Sequence, residues 1–221
     1  MSEIAIFDLD YTLTKRGTWG RFVLKNIRSR PLKWGPFALA VIGAQIRYLQ
    51  GKAPRVSVKQ EMMRWSMVGL HKDDLRKMAD EFADIEIERG LRPGALDALE
   101  RHRDAGHTII IASAAVCVIV EAIAQRLGIV HFVATEMKWE NDRLALNFAT
   151  KNCYGAEKLT RVKQLFNQNP DLKQSNTIIT MYSDSYSDLE ILRFSDKGVA
   201  VNADRKLKVA AKGENFEIVD W

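Results

Sequence analysis

At 221 residues with 47% hydrophobic side chains, the chain is long enough to bury one core plus an inserted or second small unit, and too apolar to be disordered. Its two cysteines, Cys117 and Cys153, lack metal-ligand spacing, which argues against a disulfide framework or a zinc site. The net charge of +5 hides an asymmetry: eleven Lys and Arg and no Asp or Glu stand between Thr14 and Gln60, leaving −6 elsewhere, and such a block points to an anionic partner or surface.

The run Ile4 to Phe7 is short, apolar and followed by the acidic turn of FDLDYTLT, as expected of a central parallel strand. Glu3 and Asp8 interrupt it and no basic leader precedes it, so no secretory signal is read and a cytoplasmic location is expected. From about residue 15 to 90 the patterns are helical. Trp19, Phe22, Val23 and Ile27 line one helix face, Trp34 to Leu49 is apolar almost all round, and Leu75, Met78, Ala79, Phe82 and Ile85 mark an amphipathic helix ending near Gly90. Beyond it, Pro93 to Arg103 reads as a helix and Thr108 to Ala112 as a strand, with a helix from Val116. A small hairpin is expected between Ala134 and Leu146 around Asn141-Asp142, and Ala156 to Asn167 has helical spacing. Thr177 to Tyr182, Gly198 to Val201 and Phe216 to Val219 read as strands. Strands alternating with helices predict an α/β fold, a parallel sheet with helices on both faces, interrupted by a helical insert.

Asp8 and Asp10 follow the first strand, at the carboxyl edge where open α/β sheets bind ligands. Two bare carboxylates this close repel unless a cation or a proton sits between them, and a divalent metal is the obvious compensator. Ser113 ends the second strong strand and leads into Ala114 and Ala115, a small-residue turn whose N–H groups are placed to face an anion. Lys158 lies in the first turn of its helix, where a cation opposes the helix dipole and wants another reason to be there. Asp184 and Asp188, in YSDSYSD, add two acids at the same edge.

DLDYT, Ser113, Lys158 and the Asp184/Asp188 pair, in this order, resemble the four motifs of the haloacid dehalogenase superfamily. The resemblance spans nearly the whole chain. It implies a three-layer Rossmann-like core, residues 1–14 and 91–221, with an all-helical cap, residues 15–90, of the subfamily IB type seen in phosphoserine phosphatase. It also implies a Mg²⁺-dependent phosphomonoester phosphatase working through an aspartyl-phosphate. Asp8 is then the nucleophile and Asp10 the acid and base; Asp8, the Asp10 backbone carbonyl and Asp184 hold the metal. Ser113, Ala114 and Lys158 bind the phosphoryl group, Thr12 braces the loop by bonding Asp8, and Asp188 orients Lys158 or a metal-bound water. Tyr11 departs from the family pattern, and a ring there is expected to narrow access. Intact site residues argue against a non-catalytic regulator of the same fold.

Substrate choice rests with the cap. The acidic cap residue by which phosphoserine phosphatase reads its substrate's amine has no counterpart between Thr14 and Gln60, and the segments RFVLKNIRSRPL and QIRYLQGKAPR resemble the phosphatidylglycerophosphatase C type. The partner is therefore either a phospholipid head-group phosphate or a small soluble phosphomonoester of the phosphoserine kind; nucleic acid is not expected, since no nucleic-acid module is recognisable. The Trp34 to Leu49 helix, too short to span a bilayer, leaves two readings open: the core of a cap whose basic residues are its solvated outer face, or an interfacial helix contacting an anionic membrane at its inner face. The four histidines, His71, His102, His107 and His131, are scattered and read as surface or structural residues.

Overall fold

A computed structural model describes residues 3–28 and 30–221. Its centre is a parallel sheet built on β1 (Glu3–Phe7), which pairs with β2 (Thr108–Val116) on one side and β6 (Ile178–Ser183) on the other. With β3 (His131–Thr135), β7 (Lys197–Val201) and β8 (Glu217–Val219) the order is β3-β2-β1-β6-β7-β8. The chain runs outward from β1 to β3 and then crosses to β6, so the order reverses beside β1, the place where such sheets bind ligands.

Alternation along β1 divides the core. Ile4 and Ile6 pack with Val162 and Phe166 of α7 (Ala156–Gln168), Ile191 and Leu192 of α8 (Leu189–Phe194), and Leu207 of α9 (Arg205–Gly213). Ala5 and Phe7 face the opposite way, with Ala98 and Leu99 of α5 (Pro93–Asp104) and Ile119 and Ile123 of α6 (Cys117–Arg126). Strands buried on both faces explain the continuous apolar runs and make three layers.

Between β1 and β2 lie α1 (Thr18–Ile27), α2 (Trp34–Leu49), α3 (Val56–Ser66) and α4 (Lys72–Ile85). Phe22, Val23, Ile27, Met63, Leu75, Ala79 and Phe82 are buried in a core continuous with one face of the sheet. The hairpin of β4 (Met137–Glu140) and β5 (Arg143–Phe148) turns through Asn141 and Asp142, both at positive φ, as a two-residue turn of primed type requires. It braces the insert: the Gly69 and Lys72 amides donate to the carbonyls of Leu144 and Asp142.

Two boundaries differ from expectation. Ala134 belongs to the edge strand β3 rather than to the hairpin. The second strand runs past Ser113 to Val116, with a register irregularity between Ala112 and Val116, and the helix begins at Cys117. The apolar α2 does not form the core of the insert, because only Phe37 and Ala44 are buried along it.

Candidate active site

Register brings the site together. Phe7 pairs with Ile111 and Tyr182, so Asp8 emerges between the ends of β2 and β6, and its amide donates to the Tyr182 carbonyl at 2.9 Å. Lys158, in the first turn of α7 behind Gly155 (φ +60°), points under the sheet edge. Its Nζ donates to Asp8 Oδ1 at 2.8 Å and to Asp188 Oδ2 at 2.5 Å, all three residues being buried. Ser183 Oγ donates to the same Asp188 oxygen at 2.7 Å. The misplaced cation of the sequence thus has its reason in two buried carboxylates.

Burial raises Asp8 well above the usual carboxylate range; Lys158 opposes this, and Asp188 and Asp184 add to it. Burial, then Asp188, pushes Asp184 up to about 6. Burial alone lowers the Lys158 ammonium, but Asp188 and Asp8 outweigh it and hold it above its ordinary value. Asp188 Oδ1 is buried with no hydrogen-bond partner. Three acids against one ammonium, all oxygen donors, with an orphaned carboxylate oxygen, are a donor set that fits a hard divalent cation such as Mg²⁺ and not a soft one.

Asp10 lines the mouth of a cleft between the insert and the sheet, within the field of Lys158. Its Oδ1 accepts from the Thr18 amide at 2.8 Å and the Thr18 hydroxyl at 2.7 Å, at the start of α1, while Oδ2 takes no hydrogen bond among the described residues. Burial nevertheless raises its pKa, outweighing Thr18. Ser113 is buried, with its Oγ accepting from the Ala115 amide at 3.0 Å. Thr12 corrects one expectation. Its hydroxyl bonds Asp184, not Asp8, accepting from the Asp184 amide at 3.0 Å and donating to Oδ1 at 3.3 Å. Tyr11 is held at φ +64°, with its carbonyl taking the Arg92 Nε at 3.0 Å, and its ring lies against Gly17, next to the Thr18 that bonds Asp10.

The cleft has a volume of about 560 Å³ and is lined by Asp10, Trp19, Tyr48, Arg55, Lys59 and Asn152 among others. Lys59, on α3, is the residue that sequence reasoning missed. It crosses from the insert to the sheet edge, donating to the Ala114 carbonyl at 2.5 Å and Asn152 Oδ1 at 3.0 Å beneath the rings of Trp19 and Phe148. Burial lowers it to about 8, against the pull of Asp10. A larger cavity of about 690 Å³ lies against β7 and β8, but none of the expected site residues lines it. His102 and His107 are not scattered: their Nδ1 atoms meet at 2.9 Å beside Glu3, at the amino edge of the sheet, away from this cleft.

A parallel sheet gathers acids and a lysine at its carboxyl edge, under an insert that supplies the cleft wall. The haloacid dehalogenase-like hydrolase model matches residues 5–193, and the chain belongs to that family. It is 24% identical to a histidinol-phosphatase of Neisseria meningitidis over 229 aligned residues that take in the whole of both proteins. It is also 24% identical to a phosphoserine phosphatase of Mycobacterium tuberculosis, over all of this chain and 71% of the relative. The crystal structure of a Bordetella pertussis protein of unknown function superposes with a TM-score of 0.85 over 100% of this chain and 99% of that one at 21% identity, a likeness of fold.

Proposed function

We propose that the chain hydrolyses a phosphomonoester through a phosphoryl group carried on Asp8. The observation that carries the reading is Lys158, buried and bonded at once to Asp8 and Asp188 at the mouth of the sheet. Asp8 attacks phosphorus; the ester oxygen leaves with its electron pair and takes a proton from Asp10, whose raised pKa suits a general acid. Asp10, now ionised, removes a proton from the incoming water, whose oxygen attacks phosphorus and breaks the bond to Asp8, giving inorganic phosphate. Lys158, with the Ser113 hydroxyl and the Ala114 amide, holds the phosphoryl oxygens, and Asp188 fixes the ammonium. Asp8, Asp184 and the Asp10 carbonyl would hold Mg²⁺, which when bound would supply the charge neutralisation that lets a dianion approach a carboxylate. Phosphate release from a panel of phosphomonoesters, with Mg²⁺ and with chelator, tests this; no release with any of them in Mg²⁺ contradicts it.

Asp184 gives the metal a pH signature. Mg²⁺ binds the ionised carboxylate, and the folded apoprotein keeps that group protonated up to about 6, so the Mg²⁺-induced rise in Tm should be small at pH 5 and grow as the pH passes 6. Differential scanning fluorimetry reads it. An equal shift at pH 5 and 8, or none at either, counts against the metal site.

The organic part of the substrate meets Lys59 and Arg55, and the cleft offers no acid except Asp10. This favours a leaving group that carries a second anion, a carboxylate or another phosphate, over one that carries only an amine. Lys59→Met should weaken binding of such esters by the worth of a charged hydrogen bond, about 1.5–3 kcal/mol or roughly tenfold to a hundredfold in KM, and lower kcat as well, because the same ammonium bonds the Ala114 carbonyl of the phosphoryl-binding turn. In the wild type the same rise in KM is expected as the pH passes 8 and Lys59 loses its proton. Unchanged KM in Lys59→Met contradicts this substrate class. A soluble carboxylated ester and a phospholipid head-group phosphate both fit; the second reading is favoured by the exposed apolar face of α2, whose Gln45 and Tyr48 reach the cleft.

A further inference from the structure

No helix among the described residues is long and apolar enough to cross a membrane. Yet α2 is a 16-residue helix carrying apolar side chains that nothing among the described residues covers. Leu39, Ile42, Ile46 and Leu49 are 74%, 56%, 49% and 73% exposed, and Leu32, just before the helix, is 93% exposed. At about 100° per residue these four helical positions fall within an arc of about 80°, opposite the buried Phe37 and Ala44 that fasten the helix to the insert. Scattered apolar residues are ordinary on a surface; a contiguous stripe along a whole helix marks a contact.

The charge around the stripe says what kind. Arg28, Arg30 and Lys33 precede the helix, Arg47 lies in its last turn and Lys52 follows it, and none of them makes an ion pair among the described residues. They belong to a stretch, Thr14 to Gln60, that contains no acid. A second copy of the chain docked stripe to stripe across a two-fold axis would bring two such acid-free basic segments together, and like charges oppose that. An anionic bilayer complements both features: its acyl boundary takes the leucines and isoleucines while its head groups take the Lys and Arg. A helix of this length measures roughly 24 Å, short of the hydrocarbon thickness, so it lies along the surface.

We propose that α2 is a peripheral docking face for an anionic lipid surface. Gln45 and Tyr48, on other sides of the same helix, line the cleft with Arg55 and Lys59, so docking sets the cleft beside the lipid surface rather than facing into it. This orientation matters for function only if the phosphatase reading holds; the docking itself does not depend on catalysis.

Co-sedimentation with vesicles of phosphatidylglycerol and phosphatidylcholine, against vesicles of phosphatidylcholine alone, tests it with wild-type and Asp8→Asn protein. Both are expected to bind the anionic vesicles equally, and to leave them as salt rises. Two variants separate the contributions. Leu39→Asp/Ile46→Asp, at exposed positions, should weaken vesicle binding by more than about tenfold, and Lys33→Glu/Arg47→Glu/Lys52→Glu should abolish the preference for anionic lipid, while both keep the wild-type kcat on a soluble chromogenic phosphomonoester. Equal sedimentation with and without anionic lipid, or vesicle binding unaltered by Leu39→Asp/Ile46→Asp, overturns the proposal. So does a wild-type dimer, seen by light scattering, that the same pair of substitutions dissociates while vesicles bind neither protein.

Discussion

Asp8→Asn is expected to lower kcat by about four orders of magnitude or more on every phosphomonoester the wild type hydrolyses, because the amide keeps the shape of the carboxylate and loses the nucleophile. The fold should not suffer. Burial raises the Asp8 pKa in the folded apoprotein, so at neutral pH its ionised form is disfavoured there relative to the unfolded chain, and stability is lost as the pH rises through the folded value. Asn removes that liability, and Lys158 keeps Asp188 as its partner. In chelator at pH 7 the variant should therefore melt at or above the wild-type temperature while releasing no phosphate. A variant that hydrolyses at the wild-type rate removes Asp8 from the chemistry; one that unfolds would show that the ion pair with Lys158 outweighs the burial of the carboxylate.

Lys158→Met is expected to have the largest effect on stability. It leaves Asp8 and Asp188 buried without the ammonium that both bond. Stranding a buried charge costs about 3–5 kcal/mol, and in a chain of this size each kcal/mol is worth roughly 2–4 °C in Tm. The deficit should shrink in acid, where the stranded Asp8 takes up its proton, and grow toward pH 8. Lys158→Met/Asp188→Asn should recover part of the stability, because one of the two stranded charges is gone, and none of the activity, because the phosphoryl oxygens still lack their cation. Thermal melts across pH read the first effect and steady-state rates the second. A Lys158→Met protein with the wild-type Tm and rate contradicts both roles given to the lysine.

Much of this arrangement is legible in the sequence because its signals are local. The runs IAIF, TIIIA and TIITMY read as strands since each is buried on both faces, and the acids that follow β1 and β6 read as a ligand edge. Lys158 announced itself by opposing its helix dipole, and the pairing with Asp8 and Asp188 supplies the cause. What was missed is set by tertiary contact. β3 is an edge strand whose HFVAT has two residues only partly buried, so it lacks the apolar run of its neighbours. Thr12 bonds Asp184 across 172 residues of chain, which no turn rule anticipates. Lys59 looked like one of eleven solvated cations; only the packing of α3 over the Ser113 turn singles it out. For α2 the sequence leaves two readings open, since an apolar helix can be a core or a docking face, and the exposure of Leu39 and Leu49 removes the first.

The most direct test of the phosphoryl-carrying role of Asp8 is mass spectrometry of protein quenched in acid during turnover with Mg²⁺. One phosphoryl group is expected on the peptide that contains Asp8, released by hydroxylamine, and more abundant in Asp10→Asn, where water is no longer activated. Steady phosphate release with no phosphoryl group on that peptide, in the wild type or in Asp10→Asn, would contradict it.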